Sequence, residues 1–254
     1  MSKRIVTALA VLGTVSFLSG CNLEQPSAGC IVQDASVYPW QAKYTLKDPA
    51  QAGSVCGKLK GDVLGVWKYK DPKASSGSSQ LVIRARSAVG TVSYENADGD
   101  IIPINTITLA ESKAANNSSS TMTEEPDAQG FCRADGFNTT TVNKLEVKNP
   151  ETGDVLSTVR KLSYTFKEID VYSKPSAPGT QLAGSLTYTQ DGCTAEYEVW
   201  ALWPQKSCTP GSTDPARNCG EGEQPLLNPD FKVVCDPDLR ACVPAQRPPS
   251  FNNP

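Results

Sequence analysis

Residues 182–201 read LAGSLTYTQDGCTAEYEVWA. On the first arm Leu182, Gly184, Leu186 and Tyr188 alternate with Ala183, Ser185 and Thr187. On the second, Cys193, Ala195, Tyr197, Val199 and Ala201 alternate with Thr194, Glu196 and Glu198. A period of two sends alternate side chains to opposite faces of a strand, so each arm has one face for a core and one for water. Between them stands Asp191-Gly192, and a two-residue type I′ turn requires positive φ, which glycine adopts without steric penalty. The stretch predicts a β-hairpin buried on one side.

Outward from this hairpin the same pattern repeats. Alternating or β-rich runs occupy Leu59 to Tyr69, Leu81 to Ala85, Thr91 to Tyr94, Ile104 to Leu109, Lys144 to Lys148 and Leu162 to Tyr172. They are separated by Asp98-Gly99, by Asn149-Pro150 with Gly153, and by Pro178-Gly179, all of them turn chemistry. About eight strands, with no convincing amphipathic helix among them, predict an all-β body over residues 40–203, an antiparallel barrel or sandwich. Residues 111–130 are rich in Asn, Ser, Thr and Glu and read as a long exposed loop.

Residues 204–254 change character. Ten of the 19 prolines and four of the nine cysteines fall there. Missing donors and fixed φ oppose regular structure, so this segment reads as a coil held by disulfides and by packing on the body. The last residues, Arg247 to Pro254, read as a frayed tail.

The first 20 residues set the address. Lys3 and Arg4 precede Ile5 to Leu18, a run of 14 apolar and small residues without charge, which is a signal-peptide profile. As a helix it would rise about 21 Å, short of a hydrocarbon core of about 30 Å. At its end Leu18, Ser19, Gly20 and Cys21 resemble the lipobox of bacterial lipoproteins. That resemblance implies a diacylglyceryl group on the Cys21 thiol, cleavage before Cys21, and an acyl chain on its new amine. One buried acyl chain holds marginally, whereas two or three hold durably. The next residue is Asn22, not Asp, which resembles the signal for release to the outer membrane. Residues 21–39 then read as lipid anchor and tether.

Cysteine arithmetic agrees with export. Without Cys21 eight remain: Cys30, Cys56, Cys132, Cys193, Cys208, Cys219, Cys235 and Cys242. An even set in an oxidising compartment reads as disulfides, two bridges among the first four and two among the last four. In the tail the preferred pairing is crossed, Cys208 with Cys235 and Cys219 with Cys242. The tail spacings lack the close C-x-x-C pairs that zinc sites use, so no metal or other cofactor is expected.

Composition excludes several classes. The chain has 24 basic and 27 acidic side chains, a net charge of −3. Without residues 1–20 it loses Lys3 and Arg4 and no acid, giving −5. This is no polybasic nucleic-acid or membrane-surface binder. There is no histidine, which removes the usual general base near neutral pH. Neither a G-x-S-x-G elbow nor a glycine-rich phosphate loop occurs. Glu196 and Glu198 share a strand face about 7 Å apart, but alternation sends that face to water. Asn96 to Asp100 has a calcium-loop look, yet aligning Gly99 with the sixth position puts Tyr94 first and Asn105 twelfth, where Asp and Glu are needed.

Gly65-Val66-Trp67 resembles the G-x-W signature of lipocalin-type barrels, in which the Trp closes one end and the interior holds an apolar ligand. With its lipobox, scattered cysteines and the segment Cys235 to Cys242, the whole chain looks like the lipoproteins abundant in myxobacteria, a cellular type that carries no activity with it. The expected function is a lipid-anchored cell-envelope protein with a non-catalytic binding or assembly role. It would meet the membrane through Cys21, sit in the outer membrane and have an envelope protein as partner. A carrier of small apolar ligands is the alternative, and an unrecognised envelope enzyme ranks third.

Overall fold

The computed structural model describes residues 28–70, 79–214, 217–220 and 227–253. Three strands come first: β1 (Trp40–Leu46), β2 (Gly61–Lys70) and β3 (Ser79–Ala85). A short helix α1 (Arg86–Val89) leads to an outlying hairpin, β4 (Thr91–Glu95) with β5 (Ile101–Asn105). Helix α2 (Leu109–Ala114) precedes two-residue strands β6 (Asn117–Ser118) and β7 (Thr121–Met122), then β8 (Phe131–Asp135) and β9 (Thr140–Lys144). A small ribbon, β10 (Val147–Lys148) with β11 (Val155–Ser157), leads into the long β12 (Arg160–Tyr172). The diagnostic hairpin is β13 (Gln181–Gln190) with β14 (Cys193–Leu202), and the tail holds β15 (Val233–Asp236) and β16 (Ala241–Pro244).

The all-β expectation holds, and the ring of pairings makes it a barrel. Antiparallel neighbours run β13, β14, β1, β2, β3, β7, β8 and β12, and β12 pairs again with β13. Eight strands therefore close on themselves, which removes the free edges of an open sheet. Strands β6 and β9 lie alongside, on β3 and β12. The β13–β14 ladder runs from Gln181↔Leu202 to Gln190↔Cys193, and Asp191 and Gly192 have φ of 50° and 86°, the two positive values that a type I′ turn demands.

Alternation decides what fills the barrel. Trp40, Leu64, Leu81, Ile83, Phe166, Ile169 and Tyr197 are fully buried, each worth about 1.5–3 kcal/mol of burial. Ser163, Thr165, Lys167, Ser185, Thr187, Glu196 and Glu198 occupy the alternate positions facing outward. In β12 the phase slips once: Lys167 pairs with Ser185 but Asp170 with Ala183, and Glu168 has φ of 49°. One extra residue forms a bulge, so Leu162, Tyr164 and Phe166 hand the interior to Ile169 and Val171. Gly184 lies beneath it. A Cβ there would stand 2.4 Å from Ile169 Cδ1 and 2.9 Å from the Glu168 carbonyl.

The structure differs from the sequence reading at Ile104 to Leu109, where β5 ends at Asn105 and α2 starts at Leu109, at residues 111–130 and in the tail. Residues 111–130 are no plain loop, because part of α2, with β6 and β7, falls within them and Asn117 and Ser119 are buried. The tail is largely coil but contains the β15–β16 ladder, in which Cys235 and Cys242 face each other. Its last residues are pinned rather than frayed. The Gln181 side chain accepts from the Ser250 amide (2.7 Å) and donates to the Ser250 carbonyl (3.3 Å), two bonds that match what a strand neighbour would offer. Phe251 then packs edge to face on Tyr172 and Phe231.

The disulfides stay within body and tail. Cys30–Cys132 and Cys56–Cys193 tie the barrel, and Cys208–Cys235 and Cys219–Cys242 tie the tail. The tail pairs cross in sequence. Lys43 reaches Asp236 at 3.0 Å and Arg247 reaches Glu198 at 2.9 Å, docking the tail on the outer face of β1 and β14.

Candidate functional site

The end of the barrel where the described chain begins is built from few residues. Cys30 N donates to the Glu124 carbonyl (2.8 Å), Ile31 N to Ser173 Oγ (2.8 Å) and Gln33 N to the Gly179 carbonyl (3.0 Å). Lys68, whose side chain lies at the mouth, donates from Nζ to the Cys30 carbonyl at 2.7 Å. Residues 29–33 thus lie across strand ends from β7 to β13 and close that mouth, with Cys30–Cys132 as a covalent tie. The chain is already held on the barrel here, well before residue 40, where the sequence reading ended the tether. Cys21 and the lipobox residues Leu18, Ser19 and Gly20 lie outside the described residues.

The opposite mouth carries a buried polar cluster. Asp62 accepts from the Ser87 amide (3.1 Å) and hydroxyl and from the Val63 amide (2.7 Å), so it caps the first turn of α1 from a neighbouring strand. Burial pushes its carboxyl up to about 6, against these hydrogen bonds, which act to lower it. Lys144 donates to the Ser87 carbonyl at 2.7 Å, and burial lowers its ammonium. The Tyr44 hydroxyl is buried with no hydrogen-bond partner, and burial raises it well above the usual range. Tyr164 donates to the Ala115 carbonyl (2.7 Å) and Tyr197 to the Cys56 carbonyl. Every acid and hydroxyl here except Tyr44 is engaged with backbone or a neighbouring side chain, which is the pattern of a structural plug.

The other candidates fall into place individually. Glu196 is exposed between Lys47 and Lys167, and Glu198 pairs with Arg247. The two carboxylates are surface ion-pair partners. Asn96 Oδ1 accepts from the amides of Asp98 and Asp100, so Asn96 to Asp100 is the β4–β5 turn. Trp67 lies outside the barrel, its ring folded over Gly65 and its Nε1 on Ser36 Oγ at 3.2 Å. This corrects the lipocalin-like expectation: Val66 takes the inward position, and alternation leaves Trp67 none. The sulfurs of Cys208, Cys219 and Cys242 lie within 4.8 Å of one another. Paired as disulfides, they offer no thiolate to a metal.

Sequence reasoning missed the residue that seals the barrel wall. Asn117 is fully buried, and its Oδ1 accepts the Phe166 amide at 2.7 Å while its Nδ2 faces the Tyr164 carbonyl at 3.3 Å and the Asn138 carbonyl. In the sequence Asn117 is one polar residue among many.

Comparison with known proteins follows the same outline. The MlpA family model matches residues 38–204, from two residues before β1 to two after β14. A Myxococcus xanthus protein named "Putative lipoprotein MlpA" is 38% identical over 265 aligned residues, covering 99% of this chain and 100% of that protein. No solved structure matches the chain significantly. With the barrel matched by the family model and nearly the full length matched by this relative, the chain belongs to the MlpA family of lipoproteins.

Proposed function

We propose that this chain is a lipid-anchored envelope protein of the outer membrane that binds or assembles with an envelope partner through its outer surface and performs no catalysis. The observation that carries the reading is the polarity of the barrel. Its interior is packed with Trp40, Leu64, Ile83, Phe166 and Tyr197, and the outward positions along β12 and β14 are mostly Ser, Thr, Lys and Glu, the inverse of a barrel that faces lipid all round its outside. Attachment is therefore assigned to acyl chains on Cys21, and recognition to the exterior rather than to an apolar interior. A groove of about 470 Å³ where barrel and tail meet, lined by Lys58, Lys60 and Asp238 around the Lys43–Asp236 ion pair, offers both charges to a partner.

Cross-linking through surface lysines in intact cells, then detergent extraction, tests this reading. One reproducible envelope partner is expected. Turnover by the purified protein that survives repurification and vanishes on mutating one polar cluster would overturn it.

A further inference from the structure

A ribbon of aromatic and apolar side chains lies on the outside of the barrel at the end where the described chain begins. Trp203, just after β14, packs edge to face on Tyr38 with ring centroids 6.1 Å apart, and its Nε1 donates to the Tyr38 carbonyl at 2.8 Å. Next along the chain is Val37, 71% exposed, then Ser36, which accepts from Trp67. Tyr69 shares the outward face of β2 with Trp67 and is 55% exposed. The backbone fixes this order, because Ala35 N donates to the Val66 carbonyl at 3.0 Å and so lays residues 35–38 beside β2. Two tryptophans, two tyrosines and a valine thus form one strip from β14 to β2. Core packing does not explain Val37 or Tyr69, which meet solvent.

We infer that this strip is a bilayer-contact surface, seated in the headgroup region beside the acylated N-terminus. The inference rests on the assignment of acyl chains to Cys21. Two observations name the bilayer as occupant. Lys68, between Trp67 and Tyr69, holds the Cys30 carbonyl at 2.7 Å, so the strip adjoins the point where the chain leaves towards Cys21. From Cys21 to Ala28 there are seven residue steps, and fully extended they reach about 25 Å. This end of the barrel therefore stays close to the headgroups. Trp and Tyr are the side chains that favour that interface, apolar body inward and polar edge to water. Lys70, 63% exposed at its side chain and 3.9 Å from the Glu124 carboxylate, stands beside them as a cation that can exchange this surface partner for a phosphate. The strip would fix the tilt of the barrel on the membrane, which a flexible lipid tether alone leaves free.

The test uses the full-length acylated protein reconstituted in phosphatidylethanolamine–phosphatidylglycerol vesicles, with and without a phosphatidylcholine brominated near the top of its acyl chains. Tryptophan emission should be quenched by the bromolipid, and Trp67→Phe/Trp203→Phe should remove most of the quenching, since Trp40 is buried in the barrel core and Trp200, half-buried on β14, has its Nε1 buried and lies outside the strip. Val37→Glu/Tyr69→Glu keeps all four tryptophans and alters only exposed positions. It should lose quenching yet still sediment with vesicles. Acylated, sedimenting protein without quenching would overturn the inference and leave the anchor standing. Quenching absent but emission changing with protein density would overturn it in favour of a second copy of the chain. Protein that carries no acyl chain and does not sediment would overturn the anchor assignment, and the inference with it.

Discussion

Asn117 Oδ1 accepts the amide proton of Phe166 at 2.7 Å inside the barrel wall. On this edge of β12, pairing with β9 ends at Tyr164 and pairing with β8 begins at Ile169. A side-chain amide thus stands in for the missing strand, since it offers the same donor and acceptor as a peptide group. Replacing Asn117 with Ala orphans a buried amide and weakens the surroundings of two carbonyls, at about 1–3 kcal/mol for each group left unsatisfied. Urea unfolding should show a clearly lower midpoint for Asn117→Ala. An unchanged midpoint would mean that water or a shifted strand takes over the role.

Asp62 makes stability depend on pH. Its folded carboxyl titrates near 6 and its exposed counterpart near 3.8, so between these values the folded state holds more protons than the unfolded one. Stability from this group is therefore full below about pH 4 and declines as pH rises through 6, by about 2–3 kcal/mol in all. Asp62→Asn keeps an acceptor for the Ser87 amide and has no charge to bury. The difference between the stability curves of wild type and Asp62→Asn should grow in the variant's favour from pH 4 to 6.5. A constant difference would show that the carboxylate is not desolvated.

The tail should loosen before the barrel. Closing loops of 27 and 23 residues contributes roughly 3–4 kcal/mol per bridge in the chain-entropy account, much for a segment with so few buried apolar side chains. Removing both tail bridges, with Ser at Cys208, Cys219, Cys235 and Cys242, should open cleavage sites between 204 and 254 in limited proteolysis. The barrel should remain resistant, since its own bridges and core are untouched. Cleavage appearing first in β12 or β13 would show that the tail's docking through Gln181 and Asp236 holds up the barrel itself.

How much of this was legible depended on the physical device. The β13–β14 hairpin was readable because alternation and Asp191-Gly192 act locally, each residue deciding its own face or turn. The bulge at Glu168 was not, since its only trace is the adjacent polar pair Lys167-Glu168, and the partner that accommodates it, Gly184, lies 16 residues away. Asn117 left no periodic signal because β6, in which it sits, is only two residues long, too short for alternation to show, and its side chain takes the place of a neighbour on β12. The end of the chain misled for a similar reason. Ser250 is held by Gln181, 69 residues earlier, and composition alone made that stretch look frayed. Cysteine parity and clustering, by contrast, carried the two-group arrangement, because closing the short tail loops requires only that both partners lie in the same segment.

Acylation at Cys21 is the claim on which the proposed function and the bilayer-contact strip depend, and metabolic labelling with an alkyne fatty acid, read with intact mass, tests it most directly. The wild-type protein should take up label and begin at Cys21. Cys21→Ala should take up none and persist as a precursor about two kilodaltons heavier than the trimmed chain, as the length of a removed signal segment requires. Label persisting on the Cys21→Ala protein, or wild-type protein cleaved elsewhere and free of lipid, would contradict the account.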